Sequence, residues 1–218
     1  MNNGLTRPVI VLGAGGHAKV VANALKLLGQ EIVGFVAAEI KQGSEFLGSS
    51  VLGDEQVLNS FLPDDVVLAN GIGAMPNNNA RWRVAAQMRE RGYSFTSVIH
   101  PSVVIAQDVD LDEGVQVMAG SIIQPGVRVG RDTIINTGVL LDHDCRVGEE
   151  CHLAPGVVCS GSVHVGEGAH LGTGTVVIQN ISIGGNSVVA AGSVIYRDVP
   201  ESTTFIQTRK RTIESREN

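Results

Sequence analysis

Residues 127–159 read VRVGRDTIINTGVLLDHDCRVGEECHLAPGVVC, in which an aliphatic or small apolar side chain returns at every sixth position. The same spacing extends on both sides of this stretch. The positions that share it are Ile99, Ile105, Leu111, Val117, Ile123, Val129, Ile135, Leu141, Val147, Leu153, Cys159, Val165, Leu171, Val177, Ile183, Val189 and Ile195. A period of six fits neither a helix nor a simple alternating strand. It predicts a β-helix in which each hexapeptide supplies one short strand and one turn.

Three hexapeptides complete one coil of such a β-helix, so residues eighteen apart are expected to stack on one another. With a strand spacing of about 4.8 Å, about five to six coils would form a prism on the order of 25 Å long. The sequence keeps the period without an insertion, which favours a left-handed β-helix over the less regular right-handed form. A left-handed crossover is an exception to the usual handedness of connections between parallel strands.

The first part of the chain follows a different pattern. The segment PVIVLGAGG at 8–16 predicts a strand that runs into a glycine-rich turn, and a helix over 17–28 and a strand over 31–36 follow it. A further strand is expected over 66–69 and a second helix over 78–91. Strands alternating with helices in this way are typical of a parallel sheet with a Rossmann-like α/β fold.

The glycine-rich turn points to phosphate binding. Gly13, Gly15 and Gly16 would present backbone N–H groups at the start of the first helix, where anions bind. The spacing fits a dinucleotide fingerprint, but Ala37 and Ala38 stand where that fingerprint expects an acidic residue. We therefore expect a βαβ half-fold that binds one nucleotide. The carboxyl ends of parallel strands meet at one sheet edge, so the loop Asn70-Gly71-Ile72-Gly73 should lie beside this turn.

Composition and charge limit the partners. The chain has 218 residues and a formal net charge of −6, and its basic cluster, Arg209-Lys210-Arg211, lies near the end. An acidic chain disfavours nucleic acid as a general partner. The apolar run at 9–12 is too short for an export signal or a membrane span. The three cysteines fit reduced thiols. We therefore expect a cytoplasmic protein that binds neither nucleic acid nor membranes.

Three segments carry a resemblance to a known family. VLGAGGHAKVV, NTGVLLDHDCRVGEECHLAPGVVCSG and AAGSVIYRDVP resemble the nucleotide-sugar N-acetyltransferases of the bacillosamine and perosamine type, which are relatives of the sialic-acid O-acetyltransferases. The resemblance covers nearly the whole chain. It implies a Rossmann-like nucleotide-sugar-binding domain over 1–95, a left-handed β-helix that binds acetyl-CoA over 96–200 and a tail over 201–218. It also implies a homotrimer with acetyl-CoA between subunits and without a metal.

The resemblance also assigns roles to single residues. His143 would be the general base, Asp144 would orient it, and Asn136 would contact the sugar near its reacting amine. By the same resemblance, Gly13, Gly15, Gly16 and His17 would hold the nucleotide-sugar, and Gly161, together with His152 from the adjacent subunit, would contact acetyl-CoA. The sheet-edge position adds Gly71 and Gly73 to the residues expected to hold the nucleotide-sugar. Further expected contacts with acetyl-CoA are Thr173, Ala191, Arg209 and Lys210.

The chemistry of the reaction supports a histidine such as His143 as the general base. An amine must lose a proton as it attacks a thioester, and a neutral imidazole can accept that proton. Either Asp142 or Asp144 can fix the ring of His143, and a merely solvated histidine is the alternative interpretation. Gly161 follows His143 by eighteen residues, so its N–H would lie one coil above the imidazole and face a developing oxyanion. The alternative is that Gly161 is only a turn glycine.

The spacing of the histidines is relevant to the oligomeric state and to a possible metal site. His152 follows His143 by nine residues, which is half a coil, so the two should emerge on opposite sides of one prism. They can share a site only between two subunits, and this predicts a cyclic trimer. His152 and His170 are eighteen apart and should stack, which leaves a zinc site as an alternative. The basic cluster near the end either binds CoA phosphates or is a solvated tail.

The sequence thus predicts acetyl-CoA-dependent N-acetylation of the 4-amino group of a nucleotide-linked 4-amino-4,6-dideoxy sugar for surface glycan synthesis. The absence of acids at Ala37 and Ala38 leads us to expect UDP as the nucleotide. Two alternatives remain open: O-acetylation of sialic acid or a related sugar, and a noncatalytic nucleotide-sugar-binding subunit.

Overall fold

The computed structural model describes residues 7–76 and 78–207, and its first part is a five-stranded sheet. The strands are β1 Val9–Leu12, β2 Ile32–Val36, β3 Glu45–Phe46, β4 Ser49–Gly53 and β5 Val67–Asn70. They lie in the order β3-β4-β2-β1-β5, and every neighbouring pair is parallel except the β3–β4 hairpin. This hairpin was not predicted, because β3 is only two residues long and a hydrophobic pattern needs more positions than that.

Two helices flank the sheet. They are α1 Gly16–Leu27 and α2 Ala80–Glu90, and a 3-10 helix covers Glu55–Ser60. Both helices were predicted, with ends that differ by one or two residues. Gly29 ends α1 with a φ of +70°, a conformation in which glycine is favoured because it has no Cβ.

The second part of the chain is a left-handed β-helix made of two-residue parallel strands on three faces. What we call the aliphatic face has the strands Val104–Ile105, Ile122–Ile123, Leu140–Leu141, Val158–Cys159, Val176–Val177 and Val194–Ile195. The polar face has Asp110–Leu111, Arg128–Val129, Arg146–Val147, His164–Val165 and Ser182–Ile183. The covered face has Val98–Ile99, Gln116–Val117, Ile134–Ile135, His152–Leu153, His170–Leu171, Val188–Val189 and Thr204–Phe205.

The predicted inward positions form the core of the β-helix. From Val117 to Ile195 the residues of the six-residue repeat are 0–4% exposed. Residues eighteen apart pair as expected, for example Ile135 with Leu153. The three cysteines are free and buried, and burial raises the pKa of the Cys151 thiol to about 12. These thiols therefore pack as small apolar groups and are poor nucleophiles.

The β-helix is joined to the first part of the chain by apolar packing and by an ion pair whose carboxylate is buried. The outward side chains of Val98, Gln116 and Ile134 on the covered face are fully buried. Nearby, Arg89 on α2 donates to both carboxylate oxygens of Asp132 at 2.6 and 3.0 Å, and Asp132 is 1% exposed. Within the described residues, no helix is long and apolar enough to cross a membrane.

Candidate active site

His143 stands at the edge between the aliphatic face and the polar face, in the turn after Leu140–Leu141. Its Nδ1 lies 2.9 Å from Oδ2 of Asp144, while Oδ1 of Asp142 accepts the backbone N–H of His143 at 2.8 Å. Of the two candidate carboxylates, Asp144 is therefore the one that contacts the ring. Its hydrogen bond raises the pKa of His143 above the usual value. When Nδ1–H donates to Asp144, the free lone pair is on Nε2, and the side chain is 60% exposed.

Gly161 lies directly against the imidazole, as the eighteen-residue spacing predicts. A Cβ added at Gly161 would meet Cε1 and Nε2 of His143 at 2.5 Å, so only glycine leaves room for the ring. The backbone N–H groups of Ser160 and Ser162 on either side bond to neighbouring coils. Pro125, which has no N–H, occupies the equivalent position one coil below His143. The turn position shared by Pro125, His143 and Gly161 therefore needs no backbone N–H to bond neighbouring coils together. The N–H of Gly161 can instead donate a hydrogen bond to a ligand.

A cleft of about 730 Å³ opens at the carboxyl edge of the sheet. All six residues that the sequence assigned to the nucleotide-sugar line it: Gly13, Gly15, Gly16, His17, Gly71 and Gly73. A Cβ at Gly71 would lie 2.7 Å from the carbonyl oxygen of Leu12, so glycine is required where β5 leaves the sheet. The cleft also faces the first turn of α1, whose unpaired N–H groups and dipole attract phosphate.

Ala37 and Ala38, on which the nucleotide prediction rests, line the far end of this cleft. Three polar residues that sequence reasoning missed line it as well: Glu39, Asp54 and Gln56. Asp54 caps the 3-10 helix by accepting the backbone N–H of Gln56 at 2.9 Å. This short helix follows the unpredicted hairpin, and no motif in the sequence marks it as part of a site.

A smaller pocket of about 260 Å³ lies between the cleft and the β-helix. His17, Asn136 and His152 line it together. Burial lowers the pKa of His17 to about 4 and that of His152 to about 3, so both rings are neutral at physiological pH. The pocket is wide enough for a small polar group and leads from the glycine-rich turn towards Asn136.

Two contacts fix the ring of His152. The backbone N–H of Thr137 donates to Oδ1 of Asn136 at 2.7 Å, so the Asn136 amide nitrogen faces Nε2 of His152 at 3.2 Å. Nε2 therefore accepts, and the proton lies on Nδ1, a buried atom without a partner among the described residues. On its other side His152 packs edge-on against His170, with ring centroids 4.8 Å apart. The predicted stacking of these two histidines is confirmed.

The predicted site residues fall on two separate edges of the prism. His143 and Gly161 share the edge between the aliphatic and polar faces. Asn136, Thr173 and Ala191 lie on the edge between the covered and aliphatic faces, next to the covered-face strand of His152. One chain therefore does not bring all of them together.

Two further predictions concern the basic residues near the end of the chain and a possible metal ion. Arg209 and Lys210 lie outside the described residues. Within 7–76 and 78–207 there is no group of three or more His, Cys, Asp or Glu side chains that could hold a metal ion. The His152–His170 pair borders a cleft of about 470 Å³ beside Trp82 on α2.

Comparison with known proteins agrees with the two-part architecture. Residues 8–88 match the family model of the PglD N-terminal domain, and residues 163–197 match that of the hexapeptide repeat of succinyl-transferase.

Solved structures match nearly the full length. A histidine-to-asparagine variant of perosamine N-acetyltransferase from Caulobacter crescentus, in complex with CoA and GDP-perosamine, is 39% identical, with 90% of this chain and 92% of that chain covered and a TM-score of 0.84. The acetyltransferase domain of PglB from Neisseria gonorrhoeae, in complex with acetyl coenzyme A, is 32% identical over 91% of this chain and 95% of that chain, with a TM-score of 0.84. WeeI from Acinetobacter baumannii is 25% identical over 91% of this chain and 96% of that chain, with a TM-score of 0.74.

Proposed function

Because the chain belongs to the hexapeptide-repeat family of sugar N-acetyltransferases, which are acetyl-CoA-dependent enzymes, we propose that it acetylates the 4-amino group of a nucleotide-linked 4-amino-4,6-dideoxy sugar. The observation that carries this proposal is the His143–Asp144 pair beside a glycine N–H, together with a phosphate-binding turn that leads to a small polar pocket. The Caulobacter relative was solved with a substrate of this class, GDP-perosamine.

His143 is the proposed general base. As the sugar amine attacks the thioester carbonyl of acetyl-CoA, its proton passes to Nε2 of the imidazole. Asp144 accepts from Nδ1–H, which keeps the lone pair on Nε2 and stabilises the imidazolium. Collapse of the tetrahedral intermediate forms the amide, and the proton on His143 is returned to the leaving thiolate of CoA. The N–H of Gly161 is the proposed donor to the developing oxyanion.

The nucleotide-sugar is proposed to lie along residues 1–95, with the diphosphate on the turn of Gly13 and Gly15 and the sugar near Asn136. For the base we propose uracil. The Gln56 amide and the second carboxylate oxygen of Asp54 supply a donor and an acceptor at the far end of the cleft, which suit a uracil carbonyl and its N3–H. Acetyl-CoA is proposed to lie along residues 96–200.

We propose a homotrimer because the outer side of the aliphatic face carries only aliphatic side chains. The outward residues of its six strands are Val104, Ile122, Leu140, Val158, Val176 and Val194. On the polar face the same positions hold polar residues. A continuous apolar row on one face favours burial against another subunit. With the aliphatic faces turned towards a threefold axis, the His143 edge of one subunit meets the covered-face edge of the next.

Such packing would complete the site from two subunits. His143 and Gly161 of one subunit would face Asn136, His152, Thr173 and Ala191 of its neighbour. In this arrangement the amine held beside Asn136 reaches His143 of the adjacent chain, and acetyl-CoA lies in the groove between the two subunits.

A thiol-release assay with acetyl-CoA tests the reaction. Wild-type protein should release CoA with a UDP-linked 4-amino sugar, and the product should be an amide. Release with sialic acid and ester formation would instead favour O-acetylation. Binding of nucleotide-sugars without thiol release would favour a noncatalytic subunit. Competition with UDP, GDP and dTDP decides the base, and a preference for GDP or dTDP would refute uracil.

Subunit complementation tests the shared site. His143→Ala and Asn136→Ala should each be inactive as pure trimers. When the two are unfolded together and refolded, random assortment in a ring leaves about a quarter of the interfaces with both intact halves. The mixture should therefore regain about a quarter of the wild-type activity. A mixture that stays inactive, while each pure variant forms trimers, would refute a site built from two subunits.

A further inference from the structure

Gln116 is unusual among the outward residues of the covered face. It lies between Val98 and Ile134 in the strand ladder, and all three side chains are fully buried. Its two neighbours are apolar, so an apolar residue would fill this place equally well. Burying an amide is unfavourable unless both its donor and its acceptor are satisfied.

Both ends of the Gln116 amide are in fact bonded. Its Nε2 donates to the backbone oxygen of Asn70 at 2.7 Å, and its Oε1 lies 2.7 Å from Nε2 of His17. The oxygen of Asn70 also accepts from Nη1 of Arg81 at 2.8 Å, which uses its second lone pair. Arg81 in turn donates to the oxygen of Ile72 at 2.6 Å. The buried cation therefore ties the loop after β5 to α2, while Gln116 ties the same loop to the β-helix.

This network leaves a single orientation for the Gln116 amide. If the amide were turned over, its oxygen would face the oxygen of Asn70 at 2.7 Å, and two acceptors would oppose each other in a dry interior. Since Oε1 must face His17, the bond between them requires a proton on Nε2 of His17. The unprotonated nitrogen of His17 is then Nδ1.

We infer that Gln116 is a positioning residue that holds His17 as the Nε2–H tautomer, so that Nδ1 is a fixed hydrogen-bond acceptor for an N–H or O–H donor on the amino sugar. The inference rests on the proposed function for the identity of the ligand. His17 borders both the nucleotide cleft and the small pocket, and among the described residues no hydrogen bond uses its Nδ1. Because burial lowers the pKa of His17 to about 4, the ring stays an acceptor across the physiological range.

The tautomer is measured on the wild-type protein without any substrate. Two-bond nitrogen–proton correlations in the imidazoles of ¹⁵N-labelled protein distinguish Nε2–H from Nδ1–H, and a His17→Asn sample assigns the signal. We expect Nε2–H for His17 with Nδ1 unprotonated. An Nδ1–H pattern, or a ring protonated at neutral pH, would overturn the inference.

Gln116→Met tests the consequence for binding. Methionine has a similar size but cannot hold His17, so the KM for the nucleotide-linked amino sugar should rise about 3- to 10-fold, the effect of one misdirected hydrogen bond. The kcat and the KM for acetyl-CoA should stay within about 2-fold, and the His17 signals should change. Gln87→Met, which makes the same change on the exposed side of α2, is the matched control.

An unchanged KM together with unchanged His17 signals in Gln116→Met would also overturn the inference. If Gln116→Met does not fold, the wild-type spectrum still decides. If the wild-type protein acetylates no nucleotide-linked amino sugar, the proposed function fails, while the spectrum decides the role of Gln116 by itself.

Discussion

Gly161→Ala is a small substitution for which the structure predicts a large effect on rate. The new Cβ would lie 2.5 Å from both Cε1 and Nε2 of His143. Non-bonded carbon atoms pack at about 3.5–4.0 Å, so the ring must retreat by at least about 1 Å. A displacement of about 1 Å in a reacting group costs about 10²-fold in rate. We therefore expect kcat to fall about 10²-fold in the thiol-release assay.

The fold should tolerate this change. The His143 side chain is 60% exposed and can swing into solvent, and Gly161 does not need a left-handed backbone. Gly161 itself is buried beneath the His143 ring. Because only this exposed ring has to move, we expect the free energy of unfolding to change by less than about 1 kcal/mol. Light scattering before and after the substitution checks that the proposed trimer is unchanged, and a thermal melt checks that the Tm is.

A double-mutant cycle separates displacement of the ring from blockage of acetyl-CoA. His143→Ala should lower kcat by about 10²–10⁴-fold. If Gly161→Ala acts only through the imidazole, it should add little in the His143→Ala background, because the ring that it displaces is already gone. Near-normal turnover of Gly161→Ala, or losses that multiply in the double variant, would refute this reasoning.

Three further predictions concern the surroundings of the site. Asp144→Asn replaces the carboxylate that raises the pKa of His143 with a neutral amide, so the acidic limb of the kcat/KM profile should move to lower pH; an unmoved limb would contradict the pairing. Val158→Asp on the aliphatic face should give monomers in light scattering, whereas His164→Asp on the polar face should stay trimeric. Arg89→Met leaves a buried carboxylate unpaired and should lower the free energy of unfolding by about 2–4 kcal/mol in denaturant melts, since it breaks a buried pair. Arg131→Met breaks an exposed pair and should lower it by less than about 1 kcal/mol; equal losses would show that burial does not matter here.

The β-helix could be predicted from the sequence because every residue at the same position of the hexapeptide repeat has the same surroundings in the structure. Each Ile, Leu or Val of the series packs on its equivalent one coil away, so a single rule governs the whole second half. The same arithmetic correctly placed Gly161 beside His143 and His152 against His170. The family resemblance is also confirmed by the comparisons.

The partner of the His143 ring and the bond between Gln116 and His17 could not be predicted, because a sequence pattern contains neither turn geometry nor contacts between distant segments. The choice of Asp144 over Asp142 as the partner of the ring depends on turn geometry, with Asp144 at a φ of +60°. The link from Gln116 to His17 spans 99 residues, and a single glutamine in a repeat gives no signal of its own. The roles of the site residues and the boundary near residue 95 remain predictions.

The eighteen-residue coil also has a genetic consequence. His143 and Gly161 occupy adjacent coils on one edge, so the contact between them depends on only two layers of the prism. Duplication or deletion of 54 nucleotides elsewhere in the repeat would add or remove one whole layer and keep every later residue on its face. A change of one hexapeptide would instead rotate all later residues to the next face. Natural length variation in this part of the gene should therefore occur in steps of a full coil, and the unit of evolutionary change is a layer rather than a residue.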